Sequence, residues 1–599
     1  MDKAWQRFMA GGLLLWGLGC WLPESVFLMK NSASAIAAES DNLTSHGNRV
    51  RLNGQTLRGN WATWSENGKT HLGVESMGLE KSLGIQLLDT RDSLTQPVAW
   101  FEGSGVLPVK FANPYRYVDV TELATGQGWQ WRGQGEVLEL QTPTAKILNI
   151  RQGRQAWGER IVMDLDRPIL WRQATPTTVT LQGNLASFLT PLLDEKTEKA
   201  PEQQPSALPF TVRSQGSETT LTFSTAIAPQ IQVSTLTDPP RLIIDLRRDY
   251  RPSRTVEWLP GMTWRQQNVV LPGKNNGGFG VTWVELDPTR SNLKLAPFAP
   301  SDQTIVGLAP MITQAETNGA IAAINAGFFN RNNYYPLGAI REDNVWRSSP
   351  ILNRGAVGWD DQGNWEFERL SMRETLVAQN GEVLSIELLN SGYVKAGAAR
   401  YTKAWGDRYT TLIDDEVVLA VSNGQVVAEY AAQKAGADSY AIPADGYLLA
   451  FRSFRSGAAK FPVGTRFNLE NTVFPENFNN LPQIMGAGPL LVQNNRIVLD
   501  GEAEQFSKAF NYQSASRSAI ARTRDNKIML ATVHGTALES SGATLREWSD
   551  ILLRLGATDA LNLDGGGSSA LVVGGDLGDR HSSTAGRVNN AIGVFLDQP

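Results

Sequence analysis

Apolar and polar residues alternate at a spacing of two through much of the N-terminal half, the signature of strands with one buried face. Val50 and Leu52 run into Asn53-Gly54, a two-residue hairpin signal. Gly59-Asn60-Trp61 and Asn67-Gly68 punctuate further strands, and Arg116–Val120 and Val137–Leu140 alternate in the same way. The apolar stretch Met77–Leu88, around Leu79, Leu83 and Ile85, predicts a short helix and a strand. Further on, Arg160-Ile161-Val162-Met163-Asp164-Leu165 is echoed by Arg241-Leu242-Ile243-Ile244-Asp245-Leu246, two strands rich in β-branched and large apolar residues. The charged, proline-containing stretch Asp194–Ser206 between them predicts an exposed loop. These patterns divide into a small β module at 48–142 and a second β domain at 146–250.

The texture changes after Arg254, where glycines multiply and helical windows join the strands. Ile305, Leu308, Ala309, Ile312 and Ala315 mark a helical face within Thr304–Thr317, and Pro310 starts or bends that helix. It runs into Ala320–Ile324, a buried strand. The design recurs in Leu545–Leu555, with Leu545, Trp548, Ile551, Leu552 and Leu555 on one face, followed by Ala560-Leu561-Asn562-Leu563. The fold class expected is therefore multidomain: β-rich N-terminal modules followed by a mixed α/β (α+β) domain over 261–596.

Length and composition agree with several cores. A chain of 599 residues accommodates about three or four domains. Hydrophobic residues at 41% and charged residues at 19% exclude wholesale disorder, and a net charge of −5 gives no footprint for nucleic acid. The 18 Trp residues suit both cores and sugar-stacking faces. Residues 1–38 read as an export signal or N-terminal anchor: Lys3 and Arg7, then an apolar run from Phe8 to Leu22, then small residues from Ser32 to Ala38. Gly17-Leu18-Gly19-Cys20 only weakly resembles a lipoprotein box. Cys20 is the single cysteine, so the chain beyond the signal has neither disulfide nor thiol chemistry. The expected location is the periplasm or cell envelope, with an anchored N-terminus left open.

The strongest chemical signal is Asn562-Leu563-Asp564-Gly565-Gly566-Gly567-Ser568-Ser569. A buried strand ends in a carboxylate, then in three glycines that allow close backbone approach and whose successive N–H groups can cradle an anion. No lysine follows, so it is not a nucleotide-binding P-loop. Asn325-Ala326-Gly327-Phe328-Phe329-Asn330 is a second polar strand end, where the Asn325 amide is a candidate for a sugar hydroxyl or phosphate and Phe328 for stacking or packing. Arg517, His534 and Arg587 lie at the ends of further strands, and the arginine fork matches phosphate. Glu547 precedes the Asp564 strand on a helix; its alternatives are a cap, an ion pair or the site itself.

In this order these segments, with Pro336 and Gly338, Gly486–Leu491, Thr544-Leu545 and Leu555-Gly556-Ala557, resemble the phosphodiester glycosidase family. That family includes the lysosomal enzyme that uncovers mannose 6-phosphate by removing N-acetylglucosamine. Departures are Ser516, where many members have Pro, and Ala326, where many have Gly; His534 stands where some members have Asp and others His. Leu52-Asn53-Gly54-Gln55, Leu83-Gly84 and Tyr117-Val118 loosely resemble the small N-terminal domain of copper amine oxidases. The echoed strands, with Pro239-Pro240-Arg241, resemble an AMIN domain, which implies contact with peptidoglycan.

The phosphodiester glycosidase resemblance implies hydrolysis of a sugar-1-phosphodiester at the anomeric C–O bond. Asp564, His534 and Glu547 are then the catalytic candidates. Asn325, Phe328, Arg517, Asn562, Gly565, Gly566, Gly567, Ser568 and Arg587 are the substrate-binding ones. A divalent metal on Asp564 stays open, although no ligand cluster such as His-Glu-x-x-His occurs. The alternatives are a metal-dependent phosphodiesterase and a non-catalytic envelope glycan-binding protein.

Overall fold

The computed structural model describes residues 42–596 apart from 102, 188, 190–209, 225–229, 248–252, 274–277, 291, 302 and 536–541. The export signal and the whole Asp194–Ser206 loop lie outside the described residues. No described helix is long and apolar enough to cross a membrane.

The Asn53-Gly54 signal does form a hairpin. Strands Leu43–Leu52 and Gln55–Glu66 pair antiparallel, with Leu52 opposite Gln55. Both turn residues take positive φ, 48° at Asn53 and 94° at Gly54, the conformation that this dipeptide favours. The hairpin belongs to a nine-stranded sheet. Helix Ser76–Leu83 follows, capped by the Glu75 carboxylate and ended by Gly84 at φ 71°.

The echoed segments become strands Gly158–Leu165 and Arg241–Arg247, and they lie side by side, with Ile161 opposite Ile244 and Met163 opposite Leu242. Arg160 joins Asp245 through two hydrogen bonds of 2.7 Å across that pair. They form a five-stranded sheet, beside a four-stranded one that includes Thr178–Leu181 and Glu218–Phe223.

From Arg254 onward the protein is again mostly sheet. An eight-stranded sheet carries Phe279–Leu286, Ile528–Val533, Arg517–Thr523, Ala557–Asn562 and Leu490–Gln493 in that order. A five-stranded sheet holds Ala322–Asn325 between Ala591–Leu596 and Leu571–Val573. A seven-stranded sheet drawn from residues 371–474 extends the domain. Two expected helices form, Met311–Thr317 and Leu545–Arg554, and the first starts directly after Pro310. The mixed α/β expectation describes only these two helix-to-strand units. Ala557–Asn562 and Ala322–Asn325 are each antiparallel to both of their neighbours, so the two units feed two antiparallel sheets and make no βαβ crossovers there.

One continuous apolar core runs from Val50 through Ile161 and Trp258 to Val594 and so fuses the N-terminal modules to the rest. A separate core beneath Leu545–Arg554 holds Leu545, Trp548, Ile551 and Leu552, the face predicted from their spacing.

Candidate active site

Asp564 lies two residues beyond the end of the Ala557–Asn562 strand, where several strand ends meet. Its N–H donates to Ala326 O at 2.8 Å, and its carbonyl accepts from Asn325 Nδ2 at 2.6 Å. The Asn325 Oδ1 accepts from Ser518 Oγ at 2.7 Å and from the Ala570 N–H at 3.0 Å. A single amide thus ties three segments together. Next to it, the Gly327 N–H donates to Asn590 Oδ1 at 2.6 Å.

The Asp564 carboxylate is half-buried. Burial pushes its pKa up to about 6, against hydrogen bonds from Ser568 and the Gly565 N–H and the charge of Arg331. A carboxyl poised there exchanges protons near neutrality, the range useful to a base or nucleophile.

Arg517 adjoins this loop. A Cβ built on Gly565 would stand 2.8 Å from Ser516 O and 3.8 Å from Arg517 Cδ, so a side chain at that position would collide with the strand that carries the arginine. Arg517 is 2% exposed. Its Nε donates to Ala543 O at 3.1 Å and its Nη2 to Gln513 O at 2.6 Å. Among the described residues no carboxylate pairs with it, and burial pushes its pKa down to about 10. A guanidinium buried among carbonyls and lacking a counter-ion favours an anionic ligand. Arg587 is exposed at the rim of the turn, where the preceding Gly586 donates its N–H to Gly567 O at 2.7 Å.

Several candidates take other roles. Asn325 and Asn562 are completely buried, and their amides hold backbone rather than face a ligand. Asn562 Nδ2 donates to Gly488 O and Leu563 O, both at 2.8 Å. The glycine cradle is narrower than expected: the Gly565 N–H donates to Asp564 Oδ1 and the Gly566 N–H to Ser516 O, which leaves Gly567 at the exposed tip. Glu547 completes a capping box: its carboxylate accepts from the Thr544 N–H at 2.9 Å while the Thr544 side chain accepts from the Glu547 N–H at 3.2 Å. Of the alternatives for Glu547, the structure shows the cap. Phe328 is half-buried against Phe506 and Phe510, at ring separations of 5.5 and 5.8 Å.

His534 binds Asp579 Oδ2 through Nε2 at 2.7 Å. Burial works to raise the Asp579 pKa, but the charge and hydrogen bond of His534 outweigh it and hold the carboxyl below its usual range. The strand before His534 lies across Arg517–Thr523 from the Asp564 strand. Its link to the loop runs through Asp579, whose neighbour Arg580 donates to Ser569 O at 3.0 Å.

The sequence reading missed Asp579, Arg331, Ser518 and Asn590. Arg331 and Ser518 directly follow noted residues, and Asn590 lies three past Arg587, so proximity to the motifs is the signal that was there to use. No group of three His, Cys, Asp or Glu side chains able to hold a metal occurs among the described residues.

The class indicated by these motifs is found by comparison as well: residues 415–595 match the family described as phosphodiester glycosidase. Over its length the chain belongs to the same family as a solved Synechocystis protein described as hypothetical, with 41% identity, a TM-score of 0.86, and coverage of 93% of this chain and 100% of that one. It is also similar to human N-acetylglucosamine-1-phosphodiester alpha-N-acetylglucosaminidase, 40% identical over 76 residues, a match that spans 13% of this chain and only 14% of that enzyme.

Proposed function

We propose that the chain is an exported hydrolase of the cell envelope that cleaves glycosyl phosphodiesters between the anomeric carbon and a phosphate oxygen. The observation that carries the reading is the adjacency of the glycine turn that follows Asp564 to the buried, counter-ion-free Arg517. The family match over 415–595 supports the same chemistry.

In this mechanism water adds to the anomeric carbon, the C–O bond breaks, and its electron pair stays on the phosphate oxygen. The products are a free sugar and a phosphomonoester. Positive charge grows on the sugar ring, and the Asp564 carboxylate opposes it as nucleophile or as base for water. Phosphate is already a good leaving group, so its growing negative charge needs fixed cations more than a strong acid. Arg517, Arg331 and Arg587 supply them. His534 and Asp579 position the turn. The 146–250 domain is assigned contact with the envelope polymer.

The test is a pH–rate profile on a glycosyl 1-phosphodiester. The ionised carboxylate is the active form, so kcat/KM rises with pH through about 6 and then levels. Asp564→Asn lowers kcat by roughly a hundred- to ten-thousandfold and removes that limb. Unaltered turnover in this variant rules the assignment out.

A further inference from the structure

Beside the turn lies a stack of four groups, of which only Arg517 serves in the steps above. Phe506 and Phe510 lie face to face, 4.8 Å apart and 19° from parallel. Arg517 lies over Phe510 at 5.1 Å, and Arg354 lies over Phe506 at 3.9 Å. Each ring thereby carries one guanidinium, and Phe328 braces the pair of rings.

Arg354, like Arg116 and Arg517, has no carboxylate partner among the described residues. Arg369, Arg400, Arg452 and Arg522 each pair with a carboxylate, on Glu504, Glu374, Glu416 and Asp559. The carboxylate nearest Arg354 is that of Glu504, which is already engaged by Arg369 and by the N–H groups of Gly355 and Leu490 at 2.8 and 2.9 Å. Arg354 reaches only the Glu504 backbone carbonyl, through Nε at 3.2 Å. Its two Nη groups make no hydrogen bond among the described residues, and neither is sealed from solvent. Burial lowers its pKa, against the charges of Glu504 and Tyr393. A guanidinium stacked on a ring loses little freedom when its open edge binds, and that edge fits a planar or tetrahedral oxyanion in two-point fashion.

We propose that Arg354 reads a second oxyanion on the substrate, a phosphate or carboxylate carried on the alcohol side beyond the scissile phosphate. The inference rests on the reading of Arg517 as the scissile-phosphate site. It narrows the substrate class to phosphodiesters whose aglycone is itself charged, as in a phosphate-bearing polymer, over those with a neutral alkyl group.

The test uses the full-length chain and three glycosyl phosphodiesters whose alcohols are methyl, phosphate-bearing and carboxylate-bearing. In the native protein a charged aglycone is preferred, and the two charged substrates show which oxyanion it is. Arg354→Gln lowers the ratio of kcat/KM, charged over methyl, by roughly ten- to hundredfold, and Arg354→Lys recovers part of it because charge remains without the stack. An unchanged ratio overturns the subsite, including the case where both rates fall together. If the native chain turns over none of the three, the hydrolase reading fails by itself. Titration with inorganic phosphate then decides the subsite: Arg354→Gln must abolish a binding event seen in the native chain, and identical titrations, or no native binding, overturn it.

Discussion

Asp564 and Asn325 illustrate what single residues declare and what they withhold. Asn325 ends a strand and Asp564 lies just past one, and a polar group in such apolar surroundings must find a partner or a function. Position alone does not tell which. Ala322–Asn325 is buried throughout, so the Asn325 amide is absorbed into bonds with Asp564, Ser518 and Ala570, whereas the Asp564 side chain, beyond its strand, emerges beside Gly565. Glu547 was legible in another way. Thr544-x-x-Glu547 ahead of an apolar helical face is a capping-box pattern, and the box forms. Glu547→Ala therefore costs about 1 kcal/mol of stability and leaves kcat unchanged. Urea unfolding alongside turnover checks this, and a large loss of kcat at unchanged stability contradicts it.

Among the elements, the legible ones carry strong local signals. Asn53-Gly54 sets its hairpin, and Leu545–Arg554 buries the face that its spacing marks. The echoed strands pair because each offers the other a matching apolar face at the same register. The mixed α/β expectation left open how its helix-to-strand units assemble, because a helix leading into a buried strand looks alike in sequence whether the strand joins a parallel or an antiparallel sheet. Helix Lys508–Tyr512, which brings Phe510 onto Arg517, has five residues and buries none of them, so no periodicity announces it. The four-group stack was invisible for that reason. Asp579 was hidden too, because only the tertiary fold brings its loop to His534.

Across the whole molecule, the N-terminal modules are built into the wall that supports the site. Lys81 donates to Leu577 O and to Arg580 O, His581 meets Gln173 O at 3.1 Å, and a Cβ on Gly574 would strike both Glu75 and Trp258. These contacts press on the segment that leaves the glycine turn. Glu75 is buried in this junction, and burial pushes its pKa up to about 8, partly offset by the N–H groups of Met77 and Gly78. The unfolded chain releases that proton near 4.5 while the folded chain retains it, so stability falls as pH rises from there to about 8 and then levels. Glu75→Gln flattens that decline, read as Tm against pH, and an equally steep decline in the variant would show that Glu75 is not its source. The chemistry assigned to the assembled protein is tested most directly by hydrolysing a glycosyl phosphodiester in heavy-oxygen water and locating the label by mass spectrometry. Attack at the anomeric carbon puts the heavy oxygen on the released sugar. Label on the phosphomonoester means P–O cleavage and contradicts the assignment of Asp564 and Arg517 made here.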